Sequence, residues 1–393
     1  VRSFFVRGYI MDKSFISVKW QETPVNILAD IGTLAKTTAD ILDLSIGDPD
    51  LITNQKIIEA AFKDVSAGHT KYTESGGDVE LIDAIRGFFS RTYELNFERN
   101  QVRATVGALH GMYLALQVIV NPGDEVIIHE PYFSPYKDQV LAAGGVPIII
   151  PTFEKDDFMI HTDILEAAIT DKTKALILNS PNNPTGAIFS LETLQKIAEL
   201  AKKHHFYILS DEVYDGFSFY EPFVPMARLA PENTITFGSM SKNFAMTGWR
   251  LGYMISPAYI NEAAKLVNEG ITYSAPSPSQ RAAIYALNHA EELIPEVSKV
   301  FQERLEYIDK RVSAISYLSL HPVKGSIYAF LNITKTGMDS VTFSEYLLKK
   351  TQVLVIPGRA FGDGGDNYVR LAATQDLKTL EKAFERMAEL TFH

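Results

Sequence analysis

The chain has 393 residues, 46% hydrophobic and 22% charged, with a net charge of -11 and no cysteine. This is the profile of a folded globular protein longer than one ordinary core, so two domains are expected. The acidity argues against a nucleic-acid binder, and the lack of thiols removes disulfides, thiolate metal sites and a cysteine nucleophile.

No apolar run approaches the roughly 20 residues of a membrane helix. The start, Val1-Arg2-Ser3-Phe4-Phe5-Val6-Arg7, has the flavour of a targeting signal, but Arg7 interrupts it and no small-residue cleavage site follows. A cytoplasmic chain with an extended start before Met11 is the expectation. Residues 13–45 read as an arm followed by a helix, with Ile27, Ile31, Leu34 and Ala35 on one face. Residues 42–50 form a short apolar run ending in a Gly-Asp-Pro turn, and 57–67 read as a helix stopped by Gly68.

From about residue 100, short Val/Ile-rich runs alternate with helical patterns. Strands are expected at 102–106, 125–129, 146–150, 175–179, 206–210, 235–237 and 251–255. Helices are expected at 107–120 and at 190–204, the latter capped by Ser190. This is the pattern of an α/β fold: a mainly parallel central sheet with helices on both faces, ligands binding beyond the strand C-termini. After about 275 the pattern turns to helices at 278–289 and 290–315, then strands at 326–332, 353–356 and 368–372 and a helix at 377–390. We read this as a smaller α+β domain. The expected division is 1–45 (arm and helix joining the small domain), 46–275 (large ligand-binding domain) and 276–393 (small domain).

Polar residues gather where these strands end. Lys242 lies in Ser239-Met240-Ser241-Lys242, shortly before Arg250 in Thr247-Gly248-Trp249-Arg250. Hydroxyls, a lysine and an arginine between glycine turns suit a bound phosphate with an amine beside it, as when a lysine forms a Schiff base with pyridoxal phosphate. Taken alone, Lys242 could equally be a solvated surface lysine, and the other strand ends decide between the two. Asp211 closes an apolar run, where its carboxylate would keep a pyridine nitrogen protonated. Tyr214 and Asn183 are donors suited to the phenolate oxygen of the ring, and Phe133 is a flat surface for stacking. The helix opening at Ala108 and Leu109 offers free backbone N–H groups to a phosphate. Lys242, freed by substrate, would carry a proton between Cα and C4′. No metal site is expected.

Motifs over nearly the whole chain carry a resemblance. They are Asp43-Leu44-Ser45-Ile46-Gly47-Asp48-Pro49-Asp50, Tyr72-Thr73-Glu74-Ser75-Gly76-Gly77 and Asn121-Pro122-Gly123-Asp124-Glu125-Val126. There follow Asn182-Asn183-Pro184-Thr185-Gly186, Ser210-Asp211-Glu212-Val213-Tyr214, the Lys242 stretch and Tyr368-Val369-Arg370-Leu371. In this order they resemble the class I/II aminotransferases of the pyridoxal-phosphate-dependent aspartate aminotransferase superfamily, fold type I.

The resemblance implies transfer of an amino group from an L-amino acid to a 2-oxo acid such as 2-oxoglutarate, through pyridoxamine phosphate. It implies that Arg370 grips the substrate carboxylate, with Asn183 and the Gly47 backbone beside it. Ser239, Ser241, Arg250 and the Ala108 and Leu109 amides then hold the phosphate. Tyr72 reaches the phosphate of a neighbouring subunit, so a homodimer with shared sites is implied. Animal-type aspartate enzymes place an arginine where this chain has Gly270, three residues before Tyr273-Ser274-Ala275-Pro276, so a dicarboxylate reader of that kind is missing. A C–S β-lyase of the cystathionine lyase type is the alternative, although its asparagine loop and lysine segment usually read differently.

Overall fold

The computed structural model describes residues 15–17 and 39–392. The helix expected around Ile27, Ile31, Leu34 and Ala35 lies outside the described residues. The chain runs through β1 (Leu42–Asp43), α1 (Gln55–Ser66), α2 (Val79–Tyr93), β2 (Val102–Thr105), α3 (Ala108–Ile119), β3 (Glu125–Glu130), α4 (Pro135–Ala142) and β4 (Val146–Pro151). Next come α5 (Thr162–Ala168), β5 (Thr173–Asn179), α6 (Leu191–His204), β6 (Tyr207–Asp211), β7 (Thr234–Ser239), α7 (Met240–Asn243), β8 (Gly252–Ile255), α8 (Ala258–Glu269) and α9 (Ser277–Asn288). The remainder comprises α10 (Ala290–Val312), β9 (Ser319–Leu320), β10 (Tyr328–Asn332), α11 (Ser340–Thr351), β11 (Val353–Leu354), β12 (Ile356–Pro357), β13 (Tyr368–Ala372) and α12 (Leu377–Ala388).

Strands β2 to β8 form one seven-stranded sheet in the order β2-β8-β7-β6-β5-β3-β4. All its pairings are parallel except those of β8, which runs antiparallel to β2 and β7. Alternate residues explain why the strands read as apolar throughout. Val126, Ile128, Ile177 and Leu209 pack with Met112 and Leu114 of α3 and Ile260 and Ala264 of α8. Ile127, Leu176, Leu178 and Ile208 face the other way, onto Leu194, Ile197 and Ala201 of α6. With both faces covered, neither set of side chains can be polar. Helix α6 starts as expected, the Ser190 side chain accepting from the Thr193 N–H.

The smaller unit holds an antiparallel sheet, β12-β13-β10-β9, and a parallel pair, β1 with β11. Its core includes Leu44, Phe301, Ile308, Leu331, Phe343, Leu371 and Phe384. Helix α9 packs instead with α1 and α2, through Ala282, Ala286, Leu287, Ile57 and Phe88. Leu293 of α10 joins that same core, whereas Phe301, Leu305 and Ile308 belong to the small one. The change of core therefore falls inside α10, well after the change of sequence pattern near 275.

The single strand expected at 353–356 is in fact β11 and β12. Val355 lies between them, and the two halves pair with different strands, β1 and β13. The strand expected from 326 begins only at Tyr328, because Ser326 has φ 67° and cannot extend. No helix among the described residues is long and apolar enough to cross a membrane.

Candidate active site

Because β8 is antiparallel, its N-terminal end lies on the same sheet edge as the C-terminal ends of β5, β6 and β7. Asn179 pairs with Asp211, Asp211 with Phe237, and Ser239 with Gly252, which follows Arg250 by two positions. A cavity of about 260 Å³ opens on this edge. Gly47, Ala108, Leu109, Phe133, Asn183, Asp211, Tyr214, Ser239, Ser241, Lys242 and Arg250 all line it.

Asp211 ends β6 and is 7% exposed. Burial pushes its carboxyl up to about 6, while the Tyr136 phenol, donating to Oδ2 at 2.6 Å, and the Val213 N–H, donating to Oδ1 at 3.3 Å, pull it back. Asn179 ties this strand end to the next loop. Its Nδ2 donates to the Asp211 carbonyl at 3.0 Å and its Oδ1 accepts from the Asn183 N–H at 2.8 Å. Both Tyr136 and Asn179 line the cavity, and neither was singled out from the sequence. Asn179 carried a readable signal, since it closes a buried apolar run just as Asp211 does. Tyr136 carried only its place after the Pro131-Tyr132-Phe133 turn.

Ser239 accepts from the Ser241 N–H at 3.1 Å and so caps α7, the short helix that bears Lys242. Lys242 Nζ donates to the carbonyl of Gly47, from the other side of the cavity. Arg250 sits in the left-handed region at φ 52° and donates to the Thr247 carbonyl at 2.8 Å, with Ser241 Oγ at 3.5 Å. Gly107, at φ 76°, precedes α3. A Cβ there would lie 2.7 Å from Arg250 Nη2, so glycine lets the guanidinium close on the helix N-terminus. The first N–H groups of α3 have no acceptor within the helix.

Arg370 comes from β13 in the other sheet. Its Nη1 donates to Asn183 Oδ1 at 3.1 Å and its Nη2 to the Ser45 carbonyl at 2.5 Å, while Nε is buried without a partner. The guanidinium carbon lies over the rings of Tyr328, 4.4 Å from the centroid, and Phe361, 4.8 Å. Burial lowers its pKa. Tyr328, also absent from the sequence reading, lines the cavity and accepts from the Tyr214 phenol at 3.2 Å. Burial raises the Tyr328 phenol, but the Lys242 and Arg370 cations outweigh it and hold the group below its ordinary value. Tyr214 is pushed well above its own, by burial first and then by Tyr328. Tyr72 is not brought into the cavity of its own chain. It is 87% exposed and meets Tyr273 edge-on at 5.5 Å.

The family model for aminotransferase class I and II matches residues 39–387. The chain is similar to an aspartate aminotransferase of Pyrococcus horikoshii, at 37% identity over 356 residues, covering 90% of this chain and 91% of that protein. It is also similar to aromatic-amino-acid aminotransferase 2 of Thermococcus litoralis, at 36% identity over 368 residues, covering 91% and 93%. Among solved structures, the Thermus thermophilus aspartate aminotransferase with maleate matches with a TM-score of 0.90 at 32% identity, covering 95% of this chain and 98% of that one. The chain thus belongs to the class I and II aminotransferases and has their fold type I architecture.

Proposed function

We propose that this aminotransferase moves the α-amino group of an L-amino acid to a 2-oxo acid, 2-oxoglutarate among them, with pyridoxal phosphate as its cofactor. One observation carries the reading: the Lys242 amine shares a cavity with the Asp211 carboxylate and the Arg250 guanidinium, and Arg370, not itself a lining residue, donates to Asn183, which is one.

The donor set fits the cofactor. Arg250, Ser239, Ser241 and the N-terminus of α3 form a cationic, donor-rich end for a phosphate, and the absent Cβ of Gly107 keeps it open. Asp211 supplies a buried negative charge for a ring nitrogen, with Phe133 as a stacking face. When bound, the cofactor supplies an electron sink for charge developing at the substrate Cα.

The remaining work falls to the chain. Arg370 binds the substrate carboxylate with paired N–H donors, its plane already fixed by Tyr328 and Phe361. Asn183 holds Arg370 in that orientation. Asp211 keeps the ring nitrogen charged, and Tyr136 keeps Asp211 aimed. Tyr214, whose one O–H donates to Tyr328 here, would turn it toward the phenolate oxygen of the ring. Lys242, once free, would carry the proton from the substrate Cα to the cofactor carbon C4′. Tyr72, exposed and remote from its own cavity, serves the phosphate site of a second subunit, so the working unit is a dimer.

The test is to load the purified protein with pyridoxal phosphate and add single amino acids without an oxo acid. Release of one matching oxo acid per site, the amino group staying on the protein-bound cofactor, supports the reading. Sustained release of pyruvate and ammonia from cystathionine would sink it. Aspartate, aromatic and branched amino acids run side by side name the substrate.

A further inference from the structure

Behind the cavity lies a buried polar cluster to which the proposed reaction gives no role. Asp215, one position after Tyr214, is 6% exposed. Its Oδ1 accepts from Asn243 Nδ2 at 2.6 Å and from the Gly216 N–H at 2.9 Å, and its Oδ2 accepts from the Tyr93 phenol at 2.7 Å. Asn243 directly follows Lys242 in α7 and is 4% exposed. The pair therefore joins the segment bearing Asp211 and Tyr214 to the short helix bearing Lys242. Tyr93, the last residue of α2, anchors it from a third element.

Two further observations show that the contact is built closely. A Cβ on residue 216 would lie 2.7 Å from Asn243 Oδ1 and 2.6 Å from Ile294 Cγ2, so only glycine at 216 lets Asn243 approach. The Asn243 Oδ1 atom is itself buried without a partner, its amide being turned so that Nδ2 meets the carboxylate. A buried acceptor without a partner lowers stability. A bond kept at that cost serves placement better than it serves the fold.

We infer that Asp215 and Asn243 are a positioning pair, which sets the distance between the Lys242 amine and the Asp211–Tyr214 segment at the opposite side of the cofactor. The inference rests on Lys242 being the residue that joins the cofactor. A four-residue helix has little rigidity of its own, so its orientation depends on what pins its far end. Asn243 pins it to the same loop that orients the ring. Neither residue lines the cavity, so both act through Lys242 and Tyr214.

The test uses full-length protein stripped of cofactor and mixed with pyridoxal phosphate. Three quantities are followed: the rate of forming the borohydride-reducible bond at Lys242, the cofactor dissociation constant, and the melting temperature of the cofactor-free protein. Asn243→Ala is expected to slow bond formation and weaken cofactor binding by about tenfold or more, the effect of losing one charge-assisted hydrogen bond. Asp215→Asn can retain all three hydrogen bonds, with its amide donating to Tyr93, and is expected to stay within about threefold of the parent. If Asn243→Ala does not accumulate folded, Asn243→Ser carries the same expectation. Unchanged rate and affinity in the folded Asn243 variant, with only the melting temperature lowered, would make the pair merely structural and overturn the inference. Mapping the reduced bond in the parent protein to another lysine would overturn the reading beneath it instead, so the two failures are distinct.

Discussion

Arg370 of β13 lies over the ring of Tyr328 in the adjacent antiparallel strand β10, with the guanidinium carbon 4.4 Å from the ring centroid although the register sets Phe330, two positions on, opposite Arg370. The cation is held from several sides: Phe361 lies 4.8 Å from the guanidinium carbon, and Asn183 and the Ser45 carbonyl take two of its donors. Buried cations are costly unless satisfied in this way. Nε is buried without a partner, and each terminal nitrogen keeps a second N–H.

Arg370→Lys should therefore be far from conservative. A lysine keeps the charge but loses the stacked plane and the paired donors. We expect kcat/KM for every amino acid to fall by about a hundredfold, equivalent to about 3 kcal/mol, with cofactor affinity nearly unchanged. Steady-state kinetics beside a cofactor titration checks this, and a comparable loss of cofactor binding would contradict it.

Gly47→Ala tests the opposite wall. The added methyl would lie 1.9 Å from Tyr328 Oη and 2.9 Å from its Cζ, so the phenol must move and disturb its contact with Arg370. KM should rise by about tenfold or more, from a packing and orientation loss of about 1–3 kcal/mol. Adding Tyr328→Phe removes the nearer clash and should recover part of that rise, which a double-mutant comparison measures.

Asp211 links the site to stability. Its carboxyl is raised from 3.8 to about 6 by burial. Between those values the folded cofactor-free protein holds a proton that the unfolded chain has released. The resulting stability is present at low pH and is lost as pH rises through about 6. Cofactor-free Asp211→Asn should therefore melt above the cofactor-free parent at about pH 8, by up to about 3 kcal/mol, and the gap should close below about pH 4. With pyridoxal phosphate added, the order should reverse, because the asparagine no longer supplies the charge. Thermal melts across pH, with and without cofactor, read both effects.

Tyr72→Phe separates the dimer reading from a single-chain site. Tyr72 is 87% exposed and lines no wall of its own cavity, so the melting temperature should scarcely change. Cofactor affinity should nonetheless fall by about tenfold, the loss of one hydrogen bond to a charged group. Equilibrium titration at dimeric protein concentrations checks it. Unaltered affinity would leave Tyr72 without the role given to it.

What was legible in the sequence was local. Strand–helix alternation followed from runs such as Val126–Ile128 and Leu176–Leu178, because burial on both faces leaves no room for polar residues in them. The candidate site residues were legible too: Asp211 ends a strand, Asn183 lies in a Pro/Gly-rich loop, Lys242 lies in the short helix that follows β7, and Arg370 lies in a strand of recognisable pattern. Their partners were another matter. Tyr136 reaches Asp211 across 75 positions, Tyr214 reaches Tyr328 across 114, and Arg370 reaches Asn183 across 187. The antiparallel course of β8, the division of 353–356 between two sheets and the change of core inside α10 are equally beyond periodicity. Periodicity reports how a residue relates to neighbours within one element, whereas these contacts depend on which strands pair and which faces meet. The candidate residues are written along the chain, and their orientation is decided only when the sheets are brought together around the cavity.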